Sequence, residues 1–237
     1  MPLILLHAIG MDAGSWSFTE IPDAEPLDMA GFGDQPLPEG GLSHAGMADD
    51  IAARTSGPLD IVGVSMGGQI AMHLGLRHPD RVRSLVLANT GPAVDPAMMQ
   101  QRADTVRSQG MSADVIQGTL DRWFTEPGLA ADAEPIRYAR SRLQRDDPLA
   151  FEAGWRSISG HNVKDRLGEL AMPITVIAGR QDKAASLEQV QAMAEALPNS
   201  RLVILEGPHM VYMEFGDEFA GAVRGHMEWV RTSTGGG

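Results

Sequence analysis

The chain has 237 residues, of which 43% are hydrophobic, and 19 basic against 31 acidic side chains give a net charge of −12 with no cysteine. That length holds one large or two small domains with a substantial core, and the acidic balance argues against non-specific contact with nucleic acid or an anionic membrane surface. The absence of cysteine excludes disulfides, thiolate metal sites and a cysteine nucleophile.

The first seven residues, Met1-Pro2-Leu3-Ile4-Leu5-Leu6-His7, are apolar but have no basic stretch before them and are too short for a signal peptide or a membrane span. A cytoplasmic protein is expected. Aliphatic runs at 3–6, 59–64, 83–88, 174–178 and 202–205, with a weaker one at 26–29, read as strands buried on both faces of a parallel sheet. Helical spacing fits 69–78, 187–197 and 214–231, the last with Phe219, Val223, Met227 and Val230 on one face. Between 91 and 168 the strands stop, and the apolar spacing predicts about four helices separated by Gly110, Pro127, Pro135 and Pro148. The expectation is an α/β core from 1–90 and 169–231, a helical cap at 91–168, and a disordered tail at 232–237.

The segment Gly63-Val64-Ser65-Met66-Gly67-Gly68 follows one predicted strand and opens a predicted helix. In that context Gly-x-Ser-x-Gly forms a sharp turn that exposes a serine, with glycines where backbone must pass closely. Ser65 is the candidate nucleophile, and the N–H of Met66, at a helix N-terminus, is a candidate oxyanion donor. The plainer alternative is an ordinary strand-to-helix turn with a capping serine.

A serine hydroxyl needs a base, and the base needs an orienting acid. Gly179-Arg180-Gln181-Asp182 ends the strand at 174–178, which makes Asp182 the acid candidate, with Asp95 as its substitute. Glu206-Gly207-Pro208-His209 follows the strand at 202–205, which makes His209 the base candidate. Taken singly, such an aspartate is usually a turn or helix cap and such a histidine a surface loop residue. Together they follow Ser65 in the order serine, acid, histidine that elbow-type hydrolases use. The loop His7-Ala8-Ile9-Gly10-Met11-Asp12 should supply the second oxyanion donor, the N–H of Ile9 with Ala8 as fallback. The turn Asp28-Met29-Ala30-Gly31-Phe32-Gly33-Asp34 reads as architecture.

With these motifs assembled, the chain resembles the α/β-hydrolase superfamily along essentially its whole length. Gly10-Met11-Asp12 with Trp16, Leu85-Val86-Leu87-Ala88-Asn89-Thr90 and Arg122-Trp123-Phe124-Thr125 make it most similar to 3-oxoadipate enol-lactonases and related esterases. The resemblance implies a mainly parallel sheet with a helical cap, lacking the β-hairpin that usually precedes the first strand. Only eleven residues separate Trp16 from Asp28, too few for a full crossover helix and a strand, so that side of the sheet should be trimmed. Ala8 stands where the family commonly has glycine.

No metal is expected, because His7, His44, His73, His78, His161 and His226 lack ligand spacing with carboxylates. No phosphate-cradling or dinucleotide motif is present, so no cofactor is expected. Trp123 and Phe124 are candidate substrate-binding residues, although core packing is the commoner role for each. Arg137, Arg140, Arg142 and Arg145 read as a solvated helix face from which one could meet a substrate carboxylate. The expected activity is hydrolysis of a small ester or lactone through an acyl-enzyme. Two rivals are a hydroxynitrile-lyase-like enzyme, which needs a cation such as Lys183 near the leaving group, and a non-catalytic ligand receptor.

Overall fold

The computed structural model describes residues 2–234. Among them, β1 (Leu3–Leu6), β2 (Ala24–Leu27), β3 (Leu59–Val64), β4 (Val82–Ala88), β5 (Ile174–Gly179) and β6 (Ser200–Leu205) form one parallel six-stranded sheet in the order β2-β1-β3-β4-β5-β6. The inner strands β1, β3 and β5 are buried along their whole length, whereas the edge strands β2 and β6 are partly exposed. Inner positions need apolar side chains on both faces, which is why those runs are continuous and not alternating.

From β1 the chain steps outward to β2, then returns across β1 to build the rest of the sheet from β3. The reversal separates the loops that leave β1 and β3, and in open α/β sheets the crevice at the carboxyl ends of such strands is where ligands bind.

The β1-to-β2 crossover is a short 3-10 turn at Ala13–Phe18, which leaves room for a complete four-residue strand β2. That side of the sheet is thus less trimmed than expected, because a 3-10 turn takes the place of a full crossover helix. Helix α1 (His44–Arg54) precedes β3, and its short, alanine-rich sequence carries little apolar signal of its own. Helix α2 (Met66–Arg77) follows β3.

Between β4 and β5 run α3 (Pro96–Gln109), α4 (Ala113–Trp123), α5 (Glu126–Ala130), α6 (Glu134–Arg145) and α7 (Pro148–Ser159). Five helices stand where about four were expected. Pro127, Pro135 and Pro148 lie inside the first turn of their helices, where the missing N–H costs nothing, so they start helices that they were expected to separate. Gly110, at positive φ, does end α3.

After β5 come α8 (Leu187–Ala196), α9 (Val211–Glu214) and α10 (Gly216–Thr234). The helix expected over 214–231 begins at Gly216 instead, because Phe215, at φ −128° and ψ 50°, leaves helical geometry between α9 and α10; Gly216 itself passes so close to the Phe18 carbonyl that no side chain fits there. Helix α10 also runs on through Thr232 and Ser233 to Thr234 in place of the disordered tail expected there, and residues 235–237 lie outside the described residues.

Candidate active site

Ser65 sits between β3 and α2 at φ 54° and ψ −117°, a conformation that costs a non-glycine residue on the order of 1–3 kcal/mol. Its neighbours hold it there. The Ser65 N–H donates to the Ala88 carbonyl at 2.9 Å, and the Ser65 carbonyl accepts from Gln69 N–H at 3.1 Å and Thr90 Oγ1 at 2.9 Å. A Cβ on Gly67 would collide with the Leu6 carbonyl oxygen, and one on Gly63 would collide with the Gly67 carbonyl oxygen. Only glycine at both positions lets the turn close against β1.

His209, in the loop after β6, places Nε2 2.9 Å from Ser65 Oγ. Its Nδ1 lies 2.8 Å and 3.0 Å from the two carboxylate oxygens of Asp182, in the loop after β5. The Asp182 side chain is fully buried, and one oxygen also accepts from Ala184 N–H at 2.7 Å and Ala185 N–H at 3.0 Å. A carboxylate only accepts, so Nδ1 carries the proton and Nε2 is left to accept from the serine hydroxyl. The structure therefore brings together Ser65, Asp182 and His209 from three strand ends.

Asn89 explains how the two later loops keep their places. At the end of β4, with φ 46°, its Oδ1 accepts from Gly179 N–H at 2.6 Å while Nδ2 donates to the carbonyls of Pro208 and His209 at 2.8 and 2.9 Å. One buried amide thus binds the start of the Asp182 loop to the His209 loop. The stretch Leu85–Thr90 contributes to the family resemblance, but nothing local in it marks this role, since the partners of Asn89 are some 90 and 120 positions away.

The loop after β1 lies beside the elbow, with the Leu6 and His7 carbonyls against Gly67. Among the described residues, neither the Ile9 nor the Met66 N–H has a hydrogen-bond acceptor. His7 braces the loop: Met29 N–H donates to Nε2 at 3.2 Å, which leaves Nδ1–H to donate to the Ala8 carbonyl at 2.8 Å. Burial holds the imidazole pKa below its ordinary value, in keeping with that neutral form. The Ala8 carbonyl also receives Met11 N–H, so the alanine is built into a closed turn.

Other candidates fall elsewhere. Trp123 and Phe124 are both 1% exposed in the core, and the Trp123 carbonyl accepts from Met210 N–H beside His209. Their rings present almost no surface to a ligand. Asp95 caps α3 by accepting from Ala97 and Met98 N–H. Lys183 turns to the Asp121 carbonyl at 3.4 Å and Glu126 at 3.8 Å. On α6, Arg140 pairs with Asp132, Arg142 with Asp12 and Asp146, and Arg137 reaches the Asp132 carbonyl. Of the other histidines, His44, His73 and His161 pack ring to ring at 5.2–5.5 Å, His78 pairs with Asp49, and His226 meets Thr175.

The model of the alpha/beta hydrolase family matches residues 3–222. The chain belongs to that family. This alpha/beta hydrolase is 30% identical over 168 residues to 3-oxoadipate enol-lactonase 2 of Acinetobacter baylyi, a match covering 70% of the chain and 62% of that relative's length. It is 27% identical over 234 residues to the pimeloyl-[acyl-carrier protein] methyl ester esterase of Nitrosomonas europaea, covering 92% of each. Among solved structures, the enol-lactonase of Burkholderia xenovorans superposes with a TM-score of 0.91 at 23% identity, covering 96% of this chain and 91% of that one. A thermophilic esterase from Thermogutta terrifontis, with malate bound, gives a TM-score of 0.88 at 25% identity, with 97% and 90% covered. The named relatives are esterases and lactonases, and this alpha/beta hydrolase is an enzyme of that hydrolytic type. No described helix is long and apolar enough to cross a membrane.

Proposed function

We propose that this alpha/beta hydrolase cleaves a small carboxylic ester or lactone through an acyl-enzyme on Ser65. The observation that carries the reading is the continuous chain of contacts from the Asp182 carboxylate through His209 to Ser65 Oγ, with the serine held in a strained turn. In this reading His209 Nε2 takes the serine proton as Oγ attacks the carbonyl carbon, and Asp182 stabilises the imidazolium that results. The amides of Ile9 and Met66 donate to the oxyanion. Collapse of the tetrahedral intermediate breaks the bond to the alkoxide, which leaves with the proton from His209; in a lactone it stays attached to the acyl chain. Water then attacks the acyl-enzyme by the same route in reverse, releasing the acid and restoring Ser65.

The relatives named as lactonases and methyl ester esterases support the substrate class, and the 78 residues from 91 to 168 are read as a helical cap that favours compact substrates. A fluorophosphonate should add once to the intact protein, at Ser65, and p-nitrophenyl acetate should turn over. Labelling at another residue, or full activity in Ser65→Ala, refutes the assignment.

A further inference from the structure

Three hydrogen bonds join the segment that carries His209 to the joint between α4 and α5. Met210 N–H, next to His209, donates to the Trp123 carbonyl at 3.0 Å. Four residues on, at the end of α9, the Glu214 carboxylate reaches Thr125: the Thr125 N–H donates to Oε2 at 3.0 Å, and the Thr125 hydroxyl donates to Oε1. The same hydroxyl accepts from Gly128 N–H at 3.1 Å and so starts α5. Among the described residues, Thr125 alone donates to this carboxylate.

Gly128 is fitted to Glu214. A Cβ there would collide with Glu214 Oε1 and would lie 3.1 Å from the tip of the Ile136 side chain. Gly128 stands inside α5 and has no positive φ to account for it, at a place where alanine is the better helix former. Its missing side chain therefore answers to the carboxylate and not to the backbone. Hydrogen bonds to an ionised acceptor are about twice as strong as neutral ones, so the contact holds the joint firmly.

The joint touches the segments that follow both Asp182 and His209. Lys183, next to Asp182, meets the Asp121 carbonyl at 3.4 Å and Glu126 at 3.8 Å, a weak and exposed attachment. The joint cannot shift without carrying the Trp123 carbonyl with it, and Met210 N–H then loses its acceptor. Asn89 holds the Pro208 and His209 carbonyls, so the backbone around His209 is fixed from two directions. His209 Nε2 lies 2.9 Å from Ser65 Oγ, and a displacement of about 1 Å at such a group costs on the order of 10²-fold in rate. Resting on the serine-hydrolase reading, we infer that Glu214 is a positioning residue. Through Thr125 it seats the α4–α5 joint against the His209 loop, so that docking of the helices between β4 and β5 and alignment of His209 on Ser65 are one event.

Turnover of p-nitrophenyl acetate and thermal melting, measured on the same variants, test this. Gly128→Ala keeps both bonding partners and displaces the carboxylate, while Glu214→Gln sets an amide N–H against one of the Thr125 donors. Each should lower kcat by roughly 10- to 100-fold well below its melting temperature, with KM nearly constant. Thr125→Ser, which keeps the hydroxyl, should retain the wild-type kcat, and Thr125→Val should fall with the other two. The double variant Thr125→Val/Glu214→Gln should be no slower than Glu214→Gln alone, because both changes remove one contact. Should one variant fail to fold, the other two decide. A purely structural brace would lower the melting temperature and leave kcat unchanged; that result, or a loss confined to KM, overturns the inference. Wild-type turnover tests the hydrolase reading separately. NMR of protein labelled with ¹⁵N-histidine reads the His209–Asp182 hydrogen bond without any substrate. The His209 Nδ1–H resonance should shift or broaden in Gly128→Ala and Glu214→Gln, and an unchanged resonance in both overturns the inference whether or not an ester turns over.

Discussion

Acidification from pH 7 to pH 5 should destabilise this enzyme through histidines that it buries in neutral form. His44 Nε2–H donates to Gln69 Oε1 (2.8 Å), which leaves Nδ1 to accept from Ser157 Oγ (2.6 Å), while His161 meets His73 at 3.2 Å and the Gly91 carbonyl at 2.9 Å. The cluster fastens α7 and the end of β4 to α1 and α2. Burial, with the charge of the neighbouring ring second for His44, pushes His44 down to about 3; burial likewise pushes His161 and His226 down to about 4. Unfolding releases each ring to water, where it takes up a proton below its ordinary value of about 6.5. Stability from these groups is therefore complete above pH 6.5 and is lost as the pH falls from there toward 4 and 3.

By pH 5 each of the three contributes a loss of about 2 kcal/mol, from the proton that only the unfolded chain binds. Asp146 acts in the opposite direction, since burial pushes its carboxyl up to about 6, and it returns about 1 kcal/mol. Asp49, held at about 2 by Arg77 and His78, titrates below this window. The expected net loss is about 4–5 kcal/mol, a large part of an ordinary domain's stability. Urea unfolding followed by circular dichroism at pH 7, 6 and 5 measures it. The double variant His44→Gln/His161→Gln should remove about 4 kcal/mol of the loss, leaving His226, opposed by Asp146, together with His7 and His73, whose pKa values burial also lowers. A wild-type loss below about 1 kcal/mol, or undiminished pH dependence in the double variant, would refute burial as the cause.

Asp182→Asn should fold normally and lose roughly 10⁴-fold in kcat, since an amide favours the wrong imidazole tautomer; a loss under tenfold would place the acid elsewhere. Asn89→Asp, which sets a carboxylate against the carbonyls of Pro208 and His209, should lower kcat at least about tenfold with KM nearly constant, measured with p-nitrophenyl acetate. Gly67→Ala forces a Cβ against the Leu6 carbonyl and should cost on the order of 3 kcal/mol or more with loss of turnover, read by thermal melting and the same assay.

The sequence by itself determined the strand runs and the order in which Ser65, Asp182 and His209 leave them, because a strand buried on both faces must be continuously apolar and a sharp turn must be glycine-rich. It left the crossover at Ala13–Phe18 unread, as a 3-10 turn has no amphipathic period to display, and it passed over α1 for similar reasons. Side-chain roles set by distant partners were equally out of reach. Asn89 became a brace only when β4 and β5 paired and brought Gly179 and the His209 loop to its amide. Trp123 and Phe124, bulky enough to suggest a ligand wall, went into the core, since aromatic area is most stabilising where water is excluded. Among the arginines, composition treats all alike. Only tertiary packing decided that Arg142, on α6, meets Asp12 of the loop after β1 and Asp146, while Arg102 and Arg122 face a cavity between α3, α4 and α7, because charge pairing depends on a few ångströms that chain order does not encode.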